Sequence, residues 1–246
     1  MLEVRDLTIR AGKEALVADL SLDLAADELT CLIGPSGCGK SSVVKWLSGV
    51  LAPELDVTGT ARLGHEPITL PHRDIAYQPQ QDTLFPWLTI TENASLGLEI
   101  RGMHPGEARD HVRGLFETFG LMGHEASFPD QLSGGMRQRA AFLRTVVQDT
   151  QVLLLDEPFS ALDAVTRLRM QDWLIGRLDA EPRTVLMVTH DLYEATGLAD
   201  RILVMAGGPG RITADIPITT PRADRTEAAL AEIRTTLRTM LLEETL

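Results

Sequence analysis

The chain has 246 residues, a hydrophobic share of 44% and a formal net charge of −12. That composition predicts a globular protein with a core of its own, and the acidic charge argues against a general nucleic-acid binder and against attachment to anionic lipid by charge. Its two cysteines, Cys31 and Cys38, are too few for a disulfide framework and favour a reducing cytoplasm, and no run of 18 apolar residues predicts a transmembrane helix.

The first predicted elements are three strands and a helix. Residues 2–9 and 16–24 alternate apolar and polar side chains as half-buried strands do, and LTCLI (29–33) has the continuous apolar character of a buried strand. SSVVKWLSGVL (41–51) predicts a helix. Four apolar residues share one face of that helix: Val43, Trp46, Leu47 and Val50.

The rest of the chain continues an α/β order, with mostly helical patterns between about 90 and 150. QVLLLDE (151–157) and TVLMVTH (184–190) are short apolar runs that end in polar residues, as central parallel strands do. The predicted boundaries are 1–85 and 151–220 for an α/β core, 86–150 for a helical insertion and 224–246 for a C-terminal helix. Apolar residues at helical spacing predict that this last helix docks on its own domain: Leu230, Ile233, Leu237, Met240 and Leu241.

The strongest motif is GPSGCGKSS, which lies between a predicted strand and a predicted helix and fits the phosphate-loop pattern G-x-x-x-x-G-K-[ST]. Such a loop turns backbone N–H groups toward the β- and γ-phosphates, its lysine reaches the same oxygens, and its serine hydroxyl can bind Mg²⁺. An ordinary glycine-rich turn is the alternative. The predicted ATP-binding residues are Gly34, Pro35, Ser36, Gly37, Cys38, Gly39, Lys40, Ser41 and Ser42.

Polar residues at the ends of other strands are the candidates for catalysis. Asp156 follows the strand VLLL and is predicted, with Ser41, to bind Mg²⁺, while Glu157 is predicted to orient and deprotonate the attacking water. His190 ends TVLMVTH and is predicted to lie near the γ-phosphate and Glu157. Gln80 is a further candidate for contact with Mg²⁺ or the water. Each of these residues alone has a plain structural explanation; together with the phosphate loop they favour nucleotide hydrolysis.

A second, incomplete anion site is indicated by FPDQLSGGMRQR, residues 128–139. A serine and two glycines precede a predicted helix, whose N-terminus attracts anions. No apolar strand leads into it, so it lacks the frame of a complete nucleotide site.

These motifs resemble, in order and spacing, those of the ATP-binding-cassette (ABC) ATPases: the phosphate loop, Gln80, LSGGMRQR, LLLDEP, SALD and VTHD, over residues 2–215. The resemblance implies an α/β P-loop NTPase fold of ABC type, with a RecA-like core, an antiparallel β subdomain and an α-helical subdomain. It also implies ATP and Mg²⁺ as ligands. In that family two cassettes pair head to tail, so the incomplete anion site of one subunit completes the nucleotide site of the other.

In such a dimer, the resemblance assigns Ser133, Gly134 and Gly135 to the ATP of the opposite subunit, and Asp163, in SALD, to the same interface. Two-fold symmetry and closure on two ATP molecules follow from this arrangement.

LFPWLTITEN (84–93) resembles the region of importer cassettes that receives a helix of the membrane subunit, and GGPGRI (207–212) resembles a turn of the nitrate, sulfonate and taurine importer cassettes. The implied protein is the ATPase subunit of a nutrient importer, peripheral on the cytoplasmic face of the membrane. Its implied partners are a second copy, permease subunits and an extracytoplasmic solute-binding protein, without nucleic acid. A vitamin precursor is an alternative cargo; an exporter subunit and a non-transport ABC ATPase are alternative functions.

One segment departs from the family pattern. Where the family has an aromatic residue that stacks on adenine, the chain has Ala11, and no Phe, Tyr, Trp or His precedes Trp46. Arg10 is the nearest planar group that can lie over the base.

Overall fold

The fold is taken from a computed structural model, which describes residues 1–243. The strands are β1 (Leu2–Ala11), β2 (Glu14–Leu24), β3 (Leu29–Ile33), β4 (Asp56–Leu63), β5 (Glu66–Pro67), β6 (Ile75–Gln78), β7 (Val152–Asp156), β8 (Thr184–Val188), β9 (Arg201–Ala206) and β10 (Arg211–Pro217). The α-helices are α1 (Lys40–Leu47), α2 (Ile90–Ile100), α3 (Pro105–Arg113), α4 (Gly134–Val146), α5 (Ala164–Ala180), α6 (Leu192–Leu198) and α7 (Ala231–Glu243).

The main sheet has the strand order β10-β9-β3-β8-β7-β6. Its strands run parallel, except that β10 pairs antiparallel with β9. Every residue of β3, β7 and β8 is buried, as expected of strands covered on both faces. The loops that follow β3, β8, β7 and β6 therefore meet at one edge of the sheet, where parallel α/β sheets place their ligands.

A smaller antiparallel sheet has the order β2-β1-β4-β5. The alternating pattern of its first two strands fits this position, because one face packs on the core and the other meets solvent. The apolar face of this sheet joins one side of the main sheet and α1 in one hydrophobic cluster.

The other side of the main sheet packs against α2–α6 in a second cluster. Aromatic side chains fill its centre, with the rings of Phe142 and Phe159 5.2 Å apart and those of Phe119 and Trp173 4.8 Å apart. The helices α2, α3 and α4 lie inside the insertion predicted for 86–150, and their core is continuous with that of the sheet. No helix within residues 1–243 is long and apolar enough to span a bilayer.

Two helices are shorter than their apolar patterns predicted. The helix α1 ends at Leu47 because Gly49 takes a left-handed φ of 73°, which leaves Val50 57% exposed instead of on the buried stripe. The last helix begins at Ala231 rather than near 224, after a 3-10 turn at Arg222–Asp224. Leu230 and Leu237 are buried against the second cluster. The predicted end of this helix, 244–246, lies outside the described residues.

Candidate active site

The loop between β3 and α1, residues 34–39, has the conformation of a phosphate cradle. Gly39 caps α1 with a left-handed φ of 101°, and a Cβ there would lie 2.8 Å from Val17 Cγ2. The left-handed φ and this short distance both exclude a side chain at position 39. Glycine therefore allows the loop to pack closely against β2. The N-terminus of α1 consequently faces the space where phosphates bind in such loops.

Lys40 lies within the curve of this loop. Its Nζ donates hydrogen bonds of 2.8 Å to the carbonyl oxygens of both Gly34 and Pro35, and the residue is 8% exposed. A buried ammonium needs oxygen partners, and phosphate oxygens are stronger acceptors than neutral carbonyls because they are charged. The Lys40 ammonium group is thus held where the phosphate oxygens of a nucleotide can replace the two carbonyl oxygens as hydrogen-bond acceptors.

Two side chains of the predicted magnesium site lie in contact beside the loop. The Ser41 hydroxyl donates a 3.1 Å hydrogen bond to Oδ1 of Asp156, the last residue of β7. Burial raises the pKa of Asp156, and the charge of Glu157 adds to the rise. A hard divalent cation prefers oxygen ligands and offsets such burial of a carboxylate, so this pair fits Mg²⁺.

Glu157 is the centre of the predicted catalytic group. Its Oε2 accepts a 3.0 Å hydrogen bond from Gln80 Nε2, and its Oε1 lies 3.2 Å from His190 Nδ1. These residues follow the ends of three neighbouring strands, so the fold brings Gln80 into contact with Glu157, which lies 77 positions away in the sequence. The backbone of Glu157 has a left-handed φ of 48°, and its N–H bonds the Val188 carbonyl, which fixes the carboxylate between the two other side chains.

The loop that carries Gln80 is bonded to α4, a connection that the sequence did not indicate. Arg137 Nε donates a 2.9 Å hydrogen bond to Asp82 Oδ2, and Arg144 donates to the Thr83 carbonyl at 3.0 Å. Gln138 Nε2 donates to the Pro158 carbonyl at 3.3 Å. One helix therefore holds the loops on both sides of the Gln80–Glu157 contact.

A comparison with known families matches this arrangement. The family model described as "ABC transporter" matches residues 17–160, more than half of the chain. The chain belongs to the ABC transporter family. It is an ATP-binding cassette, and its reaction is the hydrolysis of ATP.

Relatives of this cassette include importer subunits. The formylaminopyrimidine import ATP-binding protein ThiZ of Halalkalibacterium halodurans is 39% identical over 242 residues, covering 96% of this chain and 94% of the relative. The taurine import ATP-binding protein TauB of Mesorhizobium japonicum is 43% identical over 196 residues, covering 80% and 75%. A dimeric, post-hydrolysis structure of the ATP-binding cassette MJ0796, bound to ADP and Pi, has a TM-score of 0.79 at 25% identity and covers 90% of this cassette and 100% of that chain.

The residues of the incomplete anion site lie at the start of α4. Ser133 caps the helix, with its Oγ accepting from Met136 N at 3.3 Å, and Gly134 and Gly135 form the first turn. Within residues 1–243, no hydrogen bond or ion pair joins Ser133, Gly134 or Gly135 to the phosphate loop of the same cassette. The Met136 N–H is used by this cap, whereas the N–H groups of Gly134 and Gly135 are available to an anion from another molecule.

Asp163 has a local structural role in addition to the predicted interface position. It caps α5 by accepting a 3.0 Å hydrogen bond from Thr166 N, and the hydrogen bonds from Thr166 lower the pKa of its carboxyl. The residue is exposed, so its side chain can contact a second molecule while it caps the helix.

The GGPGRI turn lies directly on the phosphate loop. A Cβ on Gly210 would come within 1.9 Å of the Cys38 carbonyl oxygen, and the Gly210 backbone bonds Leu16 and Ala18 of β2. Only glycine permits this approach. The sequence indicated this turn only through its resemblance to importer cassettes, and its contact with Cys38 was not predicted.

The β1–β2 hairpin places Arg10 and Ala11 near the phosphate loop, since Leu16 and Val17 of the same hairpin surround Gly39. Arg10 NH2 donates a 2.9 Å hydrogen bond to the Lys13 carbonyl, and Ala11 is exposed. The guanidinium is therefore tied to the turn and stays available as a flat surface for a base.

We expect Ala11→Tyr to tighten ATP binding several-fold, because an aromatic platform adds on the order of 1 kcal/mol of stacking. Arg10→Ala is expected to weaken binding, and ATP and GTP are expected to bind similarly because stacking reads no base edges. Titration of both nucleotides against each variant measures these effects. The matched control is Ala26→Tyr, an exposed alanine in a different turn. Unchanged affinities in Ala11→Tyr would mean that the base does not lie at this hairpin.

Proposed function

We propose that the cassette is the ATP-hydrolysing subunit of an importer for a small nutrient, either a nitrate-, sulfonate- or taurine-like solute or a vitamin precursor. The Gln80–Glu157–His190 contact beside the phosphate loop carries the proposal for hydrolysis, and the names of the relatives support the direction of transport. The cassette then works with permease subunits and an extracytoplasmic solute-binding protein, on the cytoplasmic face of the membrane. Nucleic acid is no partner, in keeping with the net charge of −12.

The phosphate loop 34–42 binds the triphosphate, with Lys40 moving from loop carbonyls to the β- and γ-phosphate oxygens. Ser41 and Asp156 would hold Mg²⁺, with Gln80 as a further ligand, and the ion would neutralise charge on the phosphates. Glu157 accepts the proton of the attacking water. His190 and Gln80 orient the Glu157 carboxylate through the two contacts described above.

The proposed working unit is a symmetric dimer that closes on two ATP molecules. Ser133, Gly134 and Gly135 of each cassette bind the γ-phosphate held by the partner, because within residues 1–243 the N–H groups of Gly134 and Gly135 have no acceptor on their own phosphate loop. Asp163 lies at the same interface. The dimeric state of the matched cassette structures supports this arrangement.

A cleft beside the Gln80 loop is the proposed docking site for the permease. Its volume is about 1180 Å³, and its walls combine apolar side chains such as Phe85 and Ile100 with the cationic groups of Arg73 and Arg101. At its rim the rings of Phe85 and Trp87 lie 5.4 Å apart, and Trp87 is 69% exposed. A pair of aromatic rings left in water is typical of a surface that a partner covers.

Trp87→Asp is expected to leave ATP hydrolysis by the free cassette nearly unchanged and to weaken assembly with the permease at least tenfold, because it places a charge in an apolar contact. Co-purification with the permease subunits measures assembly. Met122→Asp is the matched control, since Met122 is 63% exposed and, unlike Trp87, does not pair with the cleft-lining Phe85 ring. Loss of folding in free Trp87→Asp, or equal assembly of both variants, would contradict the proposed docking site.

Transport in membrane vesicles tests the proposed function as a whole. The cassette is co-expressed with candidate permease subunits and their solute-binding protein, and ATP is supplied on the cassette's side. Labelled taurine, an alkyl sulfonate, nitrate and formylaminopyrimidine are offered on either side of the membrane in separate assays. Import requires movement toward the ATP side, dependent on the solute-binding protein and lost in Lys40→Ala. Movement away from ATP would support the exporter, and no membrane partner at all would support a non-transport ABC ATPase.

A further inference from the structure

The residues after β10, here called the C-terminal segment (218–243), are bonded to one short helix, α6. Three of its arginines reach consecutive groups at the end of that helix. Arg222 Nε donates to the Leu198 carbonyl at 3.2 Å, Arg225 NH1 to the Gly197 carbonyl at 2.9 Å, and Arg234 Nε to the Thr196 hydroxyl at 2.9 Å.

These contacts matter because α6 has only seven residues. A helix of that length is not stable alone, and its final carbonyls need donors; cations at its C-terminus also offset the helix dipole. The Arg234 guanidinium lies over the Tyr193 ring as well, 4.2 Å from its centroid. The side chain of Arg225 is 4% exposed, so its bond to the helix is protected from water.

The opposite end of α6 adjoins the catalytic group. Asp191 caps the helix by accepting from Tyr193 N at 2.8 Å and Glu194 N at 3.2 Å. His190 precedes this cap and contacts Glu157. Glu194, in the first turn of α6, is buried and bonded to Gln171 of α5 at 2.8 Å. The helix is thus fixed to α5 at its start and to the C-terminal segment at its end.

We propose that the C-terminal segment positions His190 for catalysis through α6, with Arg225 and Arg234 as positioning residues. The inference rests on the proposed role of His190 in orienting Glu157. Loss of either arginine releases the end of α6, which lets the cap at Asp191 and the adjacent imidazole shift. Nucleotide binding is unaffected, because neither arginine contacts the phosphate loop 34–42.

The test measures kcat and KM for ATP hydrolysis by the whole cassette. Arg225→Ala and Arg234→Ala are expected to lower kcat by roughly threefold or more, with KM nearly unchanged. Thr196→Val, which keeps the side-chain shape but removes the acceptor of Arg234, is expected to act in the same direction. Arg238→Ala is the control, since Arg238 is an exposed arginine one helical turn after Arg234 on α7.

A double-mutant cycle with His190→Ala separates positioning from general loss of structure. If the arginines act through His190, Arg225→Ala and Arg234→Ala add no further loss of kcat in that background. Arg225→Lys, which keeps a donor, is expected to recover part of the activity. Equal losses in both backgrounds, or a normal kcat in Arg225→Ala and Arg234→Ala while His190→Ala is impaired, would overturn this inference alone. A normal kcat in His190→Ala would overturn the proposed role of His190 and the inference with it.

Discussion

Glu157→Gln is expected to bind ATP normally and to hydrolyse it ~10²–10³-fold more slowly, because the amide cannot accept the proton of the attacking water. The amide keeps the shape of the carboxylate and can still accept from Gln80, so the arrangement of the site is preserved. The variant is therefore expected to accumulate as a closed dimer with ATP bound. Size-exclusion chromatography with labelled ATP, together with phosphate release, measures both effects.

Glu54→Gln is the matched control for this experiment, because Glu54 is an exposed glutamate outside every strand and helix of the fold. It makes the same chemical change and the same change in net charge. Normal phosphate release by Glu157→Gln would show that another group accepts the proton. A slow Glu157→Gln that never dimerises would instead point to a disturbed site.

Gly135→Asp is expected to abolish hydrolysis while the isolated cassette still binds ATP. A Cβ at Gly135 meets only ordinary contacts, the nearest being the Ala161 carbonyl at 3.7 Å, and aspartate in the first turn suits a helix N-terminus. The fold therefore tolerates the change. In the proposed dimer the new carboxylate would face the γ-phosphate held by the partner and repel it.

Mixing Gly135→Asp subunits with Lys40→Ala subunits tests whether the substitution at Gly135 impairs the nucleotide site of the partner. A dimer of Gly135→Asp with Lys40→Ala has one site with both changes and one site with neither. In the Glu157→Gln background such mixed dimers are expected to trap one ATP each, whereas dimers of either variant alone trap none. Gly176→Asp is the control, since that glycine lies in α5 with nothing within 4 Å of its Cβ position. Absence of trapped ATP at every mixing ratio would contradict a shared site.

The sequence predicts well those parts of the cassette whose structure is determined by neighbouring residues in the chain. The strand β3, the loop 34–39 and the start of α1 follow directly from an apolar run, glycines and a helical stripe. The positions of Asp156, at the end of β7, and of His190, two residues after β8, were predictable in the same way, because parallel strands deliver the residues at and after their ends to one edge. The family resemblance then related these loops to one another.

Contacts between distant side chains were not predictable. Nothing near Asp82 in the sequence indicates that Arg137 lies 2.9 Å away, and nothing near Gly210 indicates the carbonyl of Cys38. The bonds from Arg225 and Arg234 to α6 are of the same kind. Such pairs depend on how helices and strands pack against one another in the folded chain. Because the chain has many arginines, the sequence alone does not indicate which arginine pairs with which acceptor.

Backbone strain in this cassette is found at residues with a positive φ, two of which are close to the Gln80–Glu157 contact. Within residues 1–243, five residues other than glycine have a positive φ: Asp6, Asp19, Asp27, Thr83 and Glu157. Aspartate accepts this conformation readily, whereas a β-branched threonine and a long glutamate do not. Thr83 follows Gln80 in its loop, and Glu157 is the residue that Gln80 contacts.

The two unfavourable conformations therefore flank the Gln80–Glu157 hydrogen bond, each at a cost of about 1–3 kcal/mol. Selection for stability alone would favour glycine or asparagine at both positions. The chain instead has a glutamate at position 157, whose carboxylate is essential to the proposed reaction, and its backbone conformation lowers the free energy of unfolding. Burial of apolar side chains in the two large hydrophobic clusters offsets this cost and holds the strained site in place.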